Sequence, residues 1–484
     1  MESFDLLVVG GGINGAAIAR DAAGRGLRVL LVEKDDLAAH TSAASSKLIH
    51  GGLRYLEHYD FGLVRESLRE REILLQTAPH IVRPLRFVLP DPPGGRPWWM
   101  IRLGLWTYDL LAGRGSLPRS RAVGRHDSAV RDPLKPEKFR LAAYWDAWVD
   151  DSRLVVLNAL DAAERGAEIA TRTELLAARR GETKWRAELS GGRIVEAETI
   201  VNAAGPWVAE ILSKRLASSS RSSVRLVKGS HIVVPRLWEG DHAYILQQDD
   251  GRVVFALPYG EHSLIGTTDV PVERPADASI SPEEIDYLCA AINGYFRRRT
   301  EPADVVWSYS GVRSLHDDGS TSAKDVSRDY HLELDPAPGP RLVSVFGGKI
   351  TTARALAAEA MELLDVGGFK FTATTPLPGG AITPGFNKWL AELGGWMPAP
   401  LLHRLATAYG TRLDRLLDEF DSMNQLGRHH GAGLYDAELR YLVETEFART
   451  ADDILWRRTK LGLRMTKAER DRLEKTLNAL FRRS

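Results

Sequence analysis

Hydrophobic and polar positions change texture several times along the chain. DLLVVG (5–10) is an apolar run of strand length, INGAAIARDAAGRG (13–26) is Ala-rich with helical spacing, and LRVLLVEK (27–34) is a second buried run. Together they predict a β-turn-α-β unit. Leu63–Gln76 places its leucines and isoleucine on one helical face, and Arg153–Arg165 predicts another helix. Residues 90–140 are rich in Pro, Gly and Arg and are expected to be irregular. Residues 168–201 read as short strands with a turn at Ser190–Gly192, ending in TIVNAAG. From 224 to 270, VRLVKGSHIVVP, AYILQ, RVVFALPY and SLIGTTD alternate with period two, which is the pattern of antiparallel sheet. Ser281–Arg299 reads as helix. RLVSVFGGKITTARALAAEAMELL (341–364) returns to strand, glycine turn and helix, and after TPLPGG (375–380) the chain reads as helical to its end.

These textures imply a mixed fold, α/β plus antiparallel β. The expected layout is a discontinuous Rossmann-like nucleotide-binding domain (1–80, 150–222 and 305–372), an inserted antiparallel-sheet domain (81–149 and 223–304) and a C-terminal α-helical domain (375–484). The length of 484 residues suits two or three cores better than one. With 44% hydrophobic and 26% charged residues the chain is of the folded, globular kind, and a formal net charge of zero gives no pull toward nucleic acid. Cys289 is the single cysteine, so no internal disulfide can form; it lies in an apolar helical run and is expected to be core. The first strand starts too early to leave room for a removable leader. No run reaches the roughly 20 apolar residues of a membrane-spanning helix. WWMIRLGLWTYDLL (98–111) is the most apolar aromatic stretch, and it is too short and too charged to span.

Against this background three motifs carry chemistry. Gly10, Gly12 and Gly15 of GGGING form G-x-G-x-x-G between a strand and a helix, with Glu33 closing the next strand. The glycines permit a tight turn, close approach to a pyrophosphate and close helix–sheet packing, while Glu33 can accept bonds from ribose hydroxyls. The helix N-terminus offers free N–H groups to phosphate. This motif alone does not choose between a nicotinamide and a flavin dinucleotide. VNAAGPW (201–207) is a further strand end, and FGGKITT (346–352) is a second glycine turn at a helix start. In a flavoprotein that second dipole, with Lys349, would face the ring edge that becomes negative on reduction.

The third motif is TSAASSKLIHGG (41–52), followed by LRYLEHY. Its hydroxyls suit phosphate and ribityl oxygens, and Gly51–Gly52 allow the backbone close to a flat ring. His50 and Arg54 would then stand near that ring, a histidine to accept a proton and an arginine to read an anion. A capped turn histidine and a solvated arginine on a surface helix are the alternative readings of the same residues. His429–His430 lack a ligand pattern and read as surface residues, and no metal site is expected.

ASSKLIHGGLRYLEHY, KGSHIVVP, IGTTD, YSGVRSL and SVFGGKITT, in this order, resemble the FAD-dependent, quinone-reducing glycerol-3-phosphate dehydrogenases of the bacterial respiratory type. These belong to the wider glycine/D-amino-acid oxidase-like flavoproteins. The resemblance extends to LYDAELRYLVETEFARTADDILWRRTKLGL (434–463). It implies FAD held by Gly10, Gly12, Ile13, Asn14 and Gly15, by Glu33 and Lys34, and by Thr41, Ser42, Ser45, Ser46, Lys47, Leu48, His50, Gly51 and Gly52. Ala204 and Gly205 complete that set with Gly347, Gly348, Lys349, Ile350 and Thr351. It implies a substrate pocket of Arg54, Tyr55, Asp269, Arg313 and Arg328, with Thr268 nearby, and catalytic roles for His50, Arg54, His231 and Arg313. Members often read VRPL where this chain has VRSL with Ser314; the arginine is kept.

The implied reaction is oxidation of sn-glycerol 3-phosphate at C2 to dihydroxyacetone phosphate. The arginines would hold the phosphate, either His50 or His231 would take the hydroxyl proton, and the hydride would pass to the flavin. The implied acceptor is ubiquinone or menaquinone, reached by peripheral attachment to the inner, cytoplasmic face of the cell membrane, and relatives are homodimers. WWMIRLGLW is the segment expected at lipid, and the basic tail Arg457–Arg483 is a second amphipathic candidate that reads equally as a solvated face or a dimer contact. The alternatives are a glycerol-3-phosphate oxidase using O2, another FAD-dependent hydroxy or amino acid oxidoreductase, a non-catalytic flavin-binding scaffold, and a nicotinamide-linked dehydrogenase.

Overall fold

Two sheets of different character meet at the segment that follows the first β-α-β unit. The computed structural model describes residues 1–91, 97–135, 139–216, 218, 220, 222–317, 329–417 and 420–481, without the side chains of Arg54, Glu57 and His58. Along its main path the first sheet runs His331–Leu334, Arg341–Phe346, Ile194–Asn202, Glu2–Val9, Val29–Glu33, Glu168–Thr171. The four inner pairings from Arg341–Phe346 across to Glu168–Thr171 are parallel. A parallel sheet needs cover on both faces. Ile13–Gly24, Asp151–Glu164 and Ala353–Leu363 supply it on one side, interleaving Ala16, Ile18, Val155 and Leu356 with the sheet. The hairpin Leu175–Arg180/Trp185–Leu189 and the helix Val208–Lys214 close the other.

The second sheet has ten strands, built around the hairpins of Val224–Pro235, Ala243–Gln247, Val253–Tyr259 and His262–Gly266 and joined by Val82–Asp91 and Arg140–Val149. Trp307–His316, expected in the nucleotide-binding part, pairs along its whole length with Val224–Pro235 and so belongs to this sheet. Leu48–Ile49 also joins it, through Arg140–Val149. The chain that follows the glycine turn is therefore stitched to both sheets, and the space between them is where a ligand fits.

Four local expectations are corrected. Residues 98–112 are not irregular but form a helix, Trp98–Ala112, because Ile101, Leu105 and Tyr108 find a buried face. The helix expected over Ser281–Arg299 ends at Asn293, where Gly294 breaks it and Tyr295 and Phe296 turn into a core. The C-terminal part, mostly helical, contains a small strand pair, His429–Gly431 with Leu434–Tyr435. His430 is not a surface residue: it is buried and bonded to Asp436 at 2.7 Å. Cys289 lies in the core beneath the second sheet.

The basic tail is equally not a free cationic face at its start. Arg457 and Arg458 both donate to Asp36, each at 2.6 Å, just beyond the strand that ends at Glu33. Lys460 donates to Ser152 at 2.5 Å, and the buried Arg153 pairs with the buried Glu446. A buried pair of this kind is costly to break because it strands a charge. The C-terminal helices are thereby tied to the loop that follows the nucleotide-binding strand.

Candidate active site

One cavity of about 590 Å³ runs between the two sheets, from Glu33, Thr173 and Leu175 at one end to Arg313, Asp269 and Phe255 at the other. At the first end the glycine turn leads into Ile13–Gly24, whose N-cap Gly12 supplies no side-chain cap, so the helix start is open toward a ligand except at Ile13 N. Glu33 holds the turn: it accepts from Gly11 N at 2.6 Å and Asp35 N at 2.9 Å. Burial pushes its carboxyl above the usual range, and those two N–H groups pull back against it. Ser42 accepts from Ile13 N at 3.0 Å, bringing the hydroxyl segment over the helix start. Gly15 is not on the wall; a side chain there would collide with Gly10 O, so it serves helix–strand packing.

The two glycine turns, far apart in sequence, are one structure. Asn14 donates to Gly347 O at 3.2 Å. Gly348 has φ +99°, and a Cβ there would stand 2.8 Å from Asn14 Nδ2, so both backbone and contact demand glycine. Asn14 Oδ1 and Lys349 Nζ are buried atoms on residues that line the cavity, and neither has a hydrogen-bond partner among the described residues. Unsatisfied buried polar atoms are rare, so an acceptor and a donor await a polar ligand. A dinucleotide with a flat heterocyclic ring supplies both kinds of partner.

Between these ends, the segment from Thr41 to Gly52 divides its side chains between cavity and support. Thr41 bonds Val312 O at 2.7 Å. Ser45 donates to Asp151 at 2.8 Å, and Tyr309 donates to Ser45 O at 2.7 Å. Lys47 turns away from the cavity. Its ammonium is buried, 2.9 Å from both oxygens of Asp151, where burial lowers its pKa and the carboxylate raises it. Gly51 also lies behind the wall: its N–H donates to Tyr108 at 2.9 Å, and a Cβ would meet Leu68. Ser42, Ser45, Ser46, Leu48, His50, Gly52 and Tyr55 face the cavity, as do Lys34, Ala204, Gly205, Ile350 and Thr351. Lys349 sits over the Tyr55 ring at 4.0 Å.

At the far end Arg313 and Asp269 form an ion pair at 2.7 Å, each side chain about one third exposed. Arg313 also donates to Thr268 O at 3.1 Å. His231 lines the cavity but is almost wholly buried: Ser46 bonds its Nε2 at 2.8 Å and Tyr309 stacks on its ring at 4.8 Å. Burial, with the Lys47 and Arg313 charges, drops its pKa to about 3, so the ring is neutral throughout the physiological range. His50 lines the same cavity, half-buried. Arg328 lies outside the described residues, and so does the Arg54 side chain.

Some wall residues escaped the sequence reading. Phe87 and Leu89, Ile245 and Gln247, and Val253 and Phe255 are i, i+2 pairs on three strands of the second sheet, all facing the cavity with Tyr144. The period-two pattern marks them as one face of a sheet, but not as the face that meets a ligand. Trp207 adds an aromatic wall beside Pro206, with the Lys34 ammonium 3.9 Å above its ring.

Residues 5–363 match the family described as FAD dependent oxidoreductase, and residues 370–483 match the C-terminal domain of alpha-glycerophosphate oxidase. The chain is 49% identical to D-erythritol 1-phosphate dehydrogenase of Brucella abortus, over 97% of this chain and 96% of that one. It is 50% identical to glycerol-3-phosphate dehydrogenase of Pseudomonas aeruginosa, over 99% and 96%. Among solved structures it superposes on glycerol-3-phosphate dehydrogenase from Bacillus halodurans complexed with FAD. The TM-score is 0.75 at 26% identity, covering 99% of this chain and 94% of that one.

Proposed function

The chain belongs to the family of FAD-dependent oxidoreductases, FAD is its cofactor, and from that premise we propose that it is a glycerol-3-phosphate dehydrogenase, oxidising sn-glycerol 3-phosphate to dihydroxyacetone phosphate. The observation that carries the substrate class is the Arg313–Asp269 pair at the far end of the cavity that the glycine turns open. A guanidinium there offers charge-assisted, forked bonds to a phosphate dianion. Asp269, on the same cavity wall, can accept a substrate hydroxyl.

Bound FAD supplies the two-electron acceptor for the hydride leaving C2. The chain's own residues do the rest. Phosphate binding, remote from C2, orients the carbon against the ring. His50 takes the hydroxyl proton; His231, with a pKa of about 3, is too weak a base and serves to hold Ser46 and pack on Tyr309. Lys349, without a hydrogen-bond partner among the described residues and over the Tyr55 ring, would stabilise negative charge at the flavin's edge. Arg54 and Arg328 are assigned to the phosphate by resemblance. The division into a nucleotide-binding part, a substrate-binding part and a C-terminal helical part belongs to the same reading.

The proposed electron acceptor is a membrane quinone, reached by a chain lying on the cytoplasmic face of the membrane. Among the described residues, no helix is long and apolar enough to cross a bilayer. Trp98–Ala112 instead exposes Trp99, Leu103, Trp106 and Leu110 on one stripe, with 51–64% of each accessible, while its other face is buried. The exposed Arg114, Arg119, Arg121 and Arg125 follow it. An apolar stripe beside cations is what an interfacial helix presents to anionic lipid.

A second substrate, D-erythritol 1-phosphate, is favoured by the 49% identity to a dehydrogenase of that name. Gln247 lines the same cavity, and its carboxamide can read an added hydroxyl. Steady-state kcat/KM for both phosphates, with an artificial dye as acceptor, decides between them. Preference for glycerol 3-phosphate is expected; a tenfold or greater preference for the tetritol phosphate would overturn the first reading.

A further inference from the structure

Arg313 does not hold its own position; it is held from behind. Its guanidinium bonds Asp269 at 2.7 Å and the carbonyl of Thr268 at 3.1 Å, so the loop Thr267–Asp269 determines where the charge sits. That loop is gripped in turn by a buried carboxylate on a different element. Glu284, in the first turn of the helix Pro282–Asn293, accepts the Thr268 hydroxyl at 2.7 Å and the Ser230 hydroxyl at 2.8 Å. Thr268 Oγ1 accepts in turn from Ser230 N at 2.9 Å. The other Glu284 oxygen is bonded by Ser281 N and Lys228 Nζ, both at 2.9 Å, and Lys228 also donates to Ser279 O at 2.7 Å. Each carboxylate oxygen therefore has two partners, and Glu284 is only 5% exposed. Gly229 leaves room for Arg313, since a Cβ there would collide with its Nη2, stand 2.6 Å from Thr267 Oγ1 and displace the guanidinium.

We propose that Glu284 is a positioning residue for substrate phosphate, acting through Thr268 on Arg313. The inference rests on the reading of Arg313 as the phosphate ligand. Glu284 touches neither cavity nor cofactor: it is absent from the cavity wall, and it packs behind the strand Val224–Pro235. A carboxylate buried at this cost, satisfied by two hydroxyls, one backbone N–H and one ammonium, fixes a loop that has no regular pairing of its own. Phosphate binding to Arg313 competes with Asp269 for the same guanidinium, and a loop anchored by Glu284 keeps the Thr268 carbonyl on Arg313 while that competition is resolved.

The test uses the FAD-loaded full chain with Glu284→Gln, Thr268→Val and Thr268→Ser. Glutamine would face the Lys228 ammonium and Ser281 N–H with its own N–H groups, and valine removes the hydroxyl at constant shape. Both are expected to raise KM for glycerol 3-phosphate about tenfold, with kcat within about twofold and the flavin spectrum unchanged. The inhibition constant of inorganic phosphate should rise by the same factor, and Thr268→Ser, which keeps the hydroxyl, should restore both to within about twofold. A fall in kcat at constant KM, an unchanged phosphate inhibition constant, or loss of FAD that serine does not rescue would each overturn the proposal. If wild type itself shows no response to glycerol 3-phosphate, the phosphate reading fails first, and this inference falls with it.

Discussion

At the residue scale, the chemistry turns on a few side chains whose environments differ sharply. His50 and His231 are equivalent candidates in sequence and both line the cavity, yet His50 is half-buried while His231 is almost wholly buried, bonded to Ser46 and stacked on Tyr309. Burial, with the Lys47 and Arg313 charges, lowers the His231 pKa to about 3, which is why the proposed base is His50. His50→Asn should therefore lower kcat by roughly 10²–10⁴, while His231→Gln costs far less in kcat; the reverse order in stopped-flow flavin reduction would assign the base to His231. Arg313→Ala should lower kcat/KM for glycerol 3-phosphate by roughly 10²–10³ through KM, with FAD retained. Wild-type kinetics would remove Arg313 from the pocket. Residue identity was legible at these positions, but side-chain direction was not. Lys47 lies within a stretch of cavity-lining residues, and its ammonium points the other way, into Asp151. Asn14 looks like filler in a glycine motif, yet it joins two turns over 300 residues apart. Neither fact has a local signature.

At the element scale, the first β-α-β unit was readable because everything it needs is local: a buried run, three glycines and an acid at set spacing. The hairpins of the second sheet were readable by their period of two. What period cannot supply is the partner. Trp307–His316 has the texture of a strand, and only its pairing with Val224–Pro235 carries Arg313 into the second sheet beside Asp269. The helix Trp98–Ala112 was hidden by Pro- and Gly-rich flanks, although its buried residues Ile101, Leu105 and Tyr108 follow helical spacing. Its exposed stripe yields a prediction of its own. Trp99→Glu with Trp106→Glu should reduce binding to anionic lipid vesicles at least tenfold in a flotation assay, with dye-coupled kcat unchanged. Undiminished flotation would place the membrane contact elsewhere.

At the scale of the whole molecule, the C-terminal helices act on the nucleotide-binding part through ion pairs rather than through a shared sheet. Asp36 takes both Arg457 and Arg458, and Glu446 takes Arg153. This long-range wiring was illegible in sequence, because a basic tail read by itself looks like a solvated or lipid-facing surface. The buried ionisable groups also set how the fold responds to acid. His231 and His242 have folded pKa values of about 3 and about 4, in both cases chiefly from burial, against about 6.5 when unfolded. The unfolded chain therefore binds more protons, and stability falls as pH drops from about 6.5. Each of these histidines removes roughly 1.4 kcal/mol per pH unit until its folded value is reached. Asp453 adds a later loss. Burial opposes its charge, but Arg449 N–H, Thr450, Arg172 and Arg457 hold it down to about 2, so its contribution disappears between about pH 4 and 2. Thermal midpoints of the FAD-loaded chain should accordingly decline from pH 6.5 to 4; a flat profile over that range would contradict the neutral, buried state of both histidines.

The most direct test of the central claim is anaerobic mixing of the purified, FAD-loaded protein with glycerol 3-phosphate, following flavin absorbance at about 450 nm. Rapid bleaching is expected, restored at once by a soluble quinone analogue and only slowly by air. A flavin that stays oxidised with glycerol 3-phosphate but bleaches with D-erythritol 1-phosphate would move the substrate to the longer polyol phosphate. A flavin that stays oxidised with both would contradict the account.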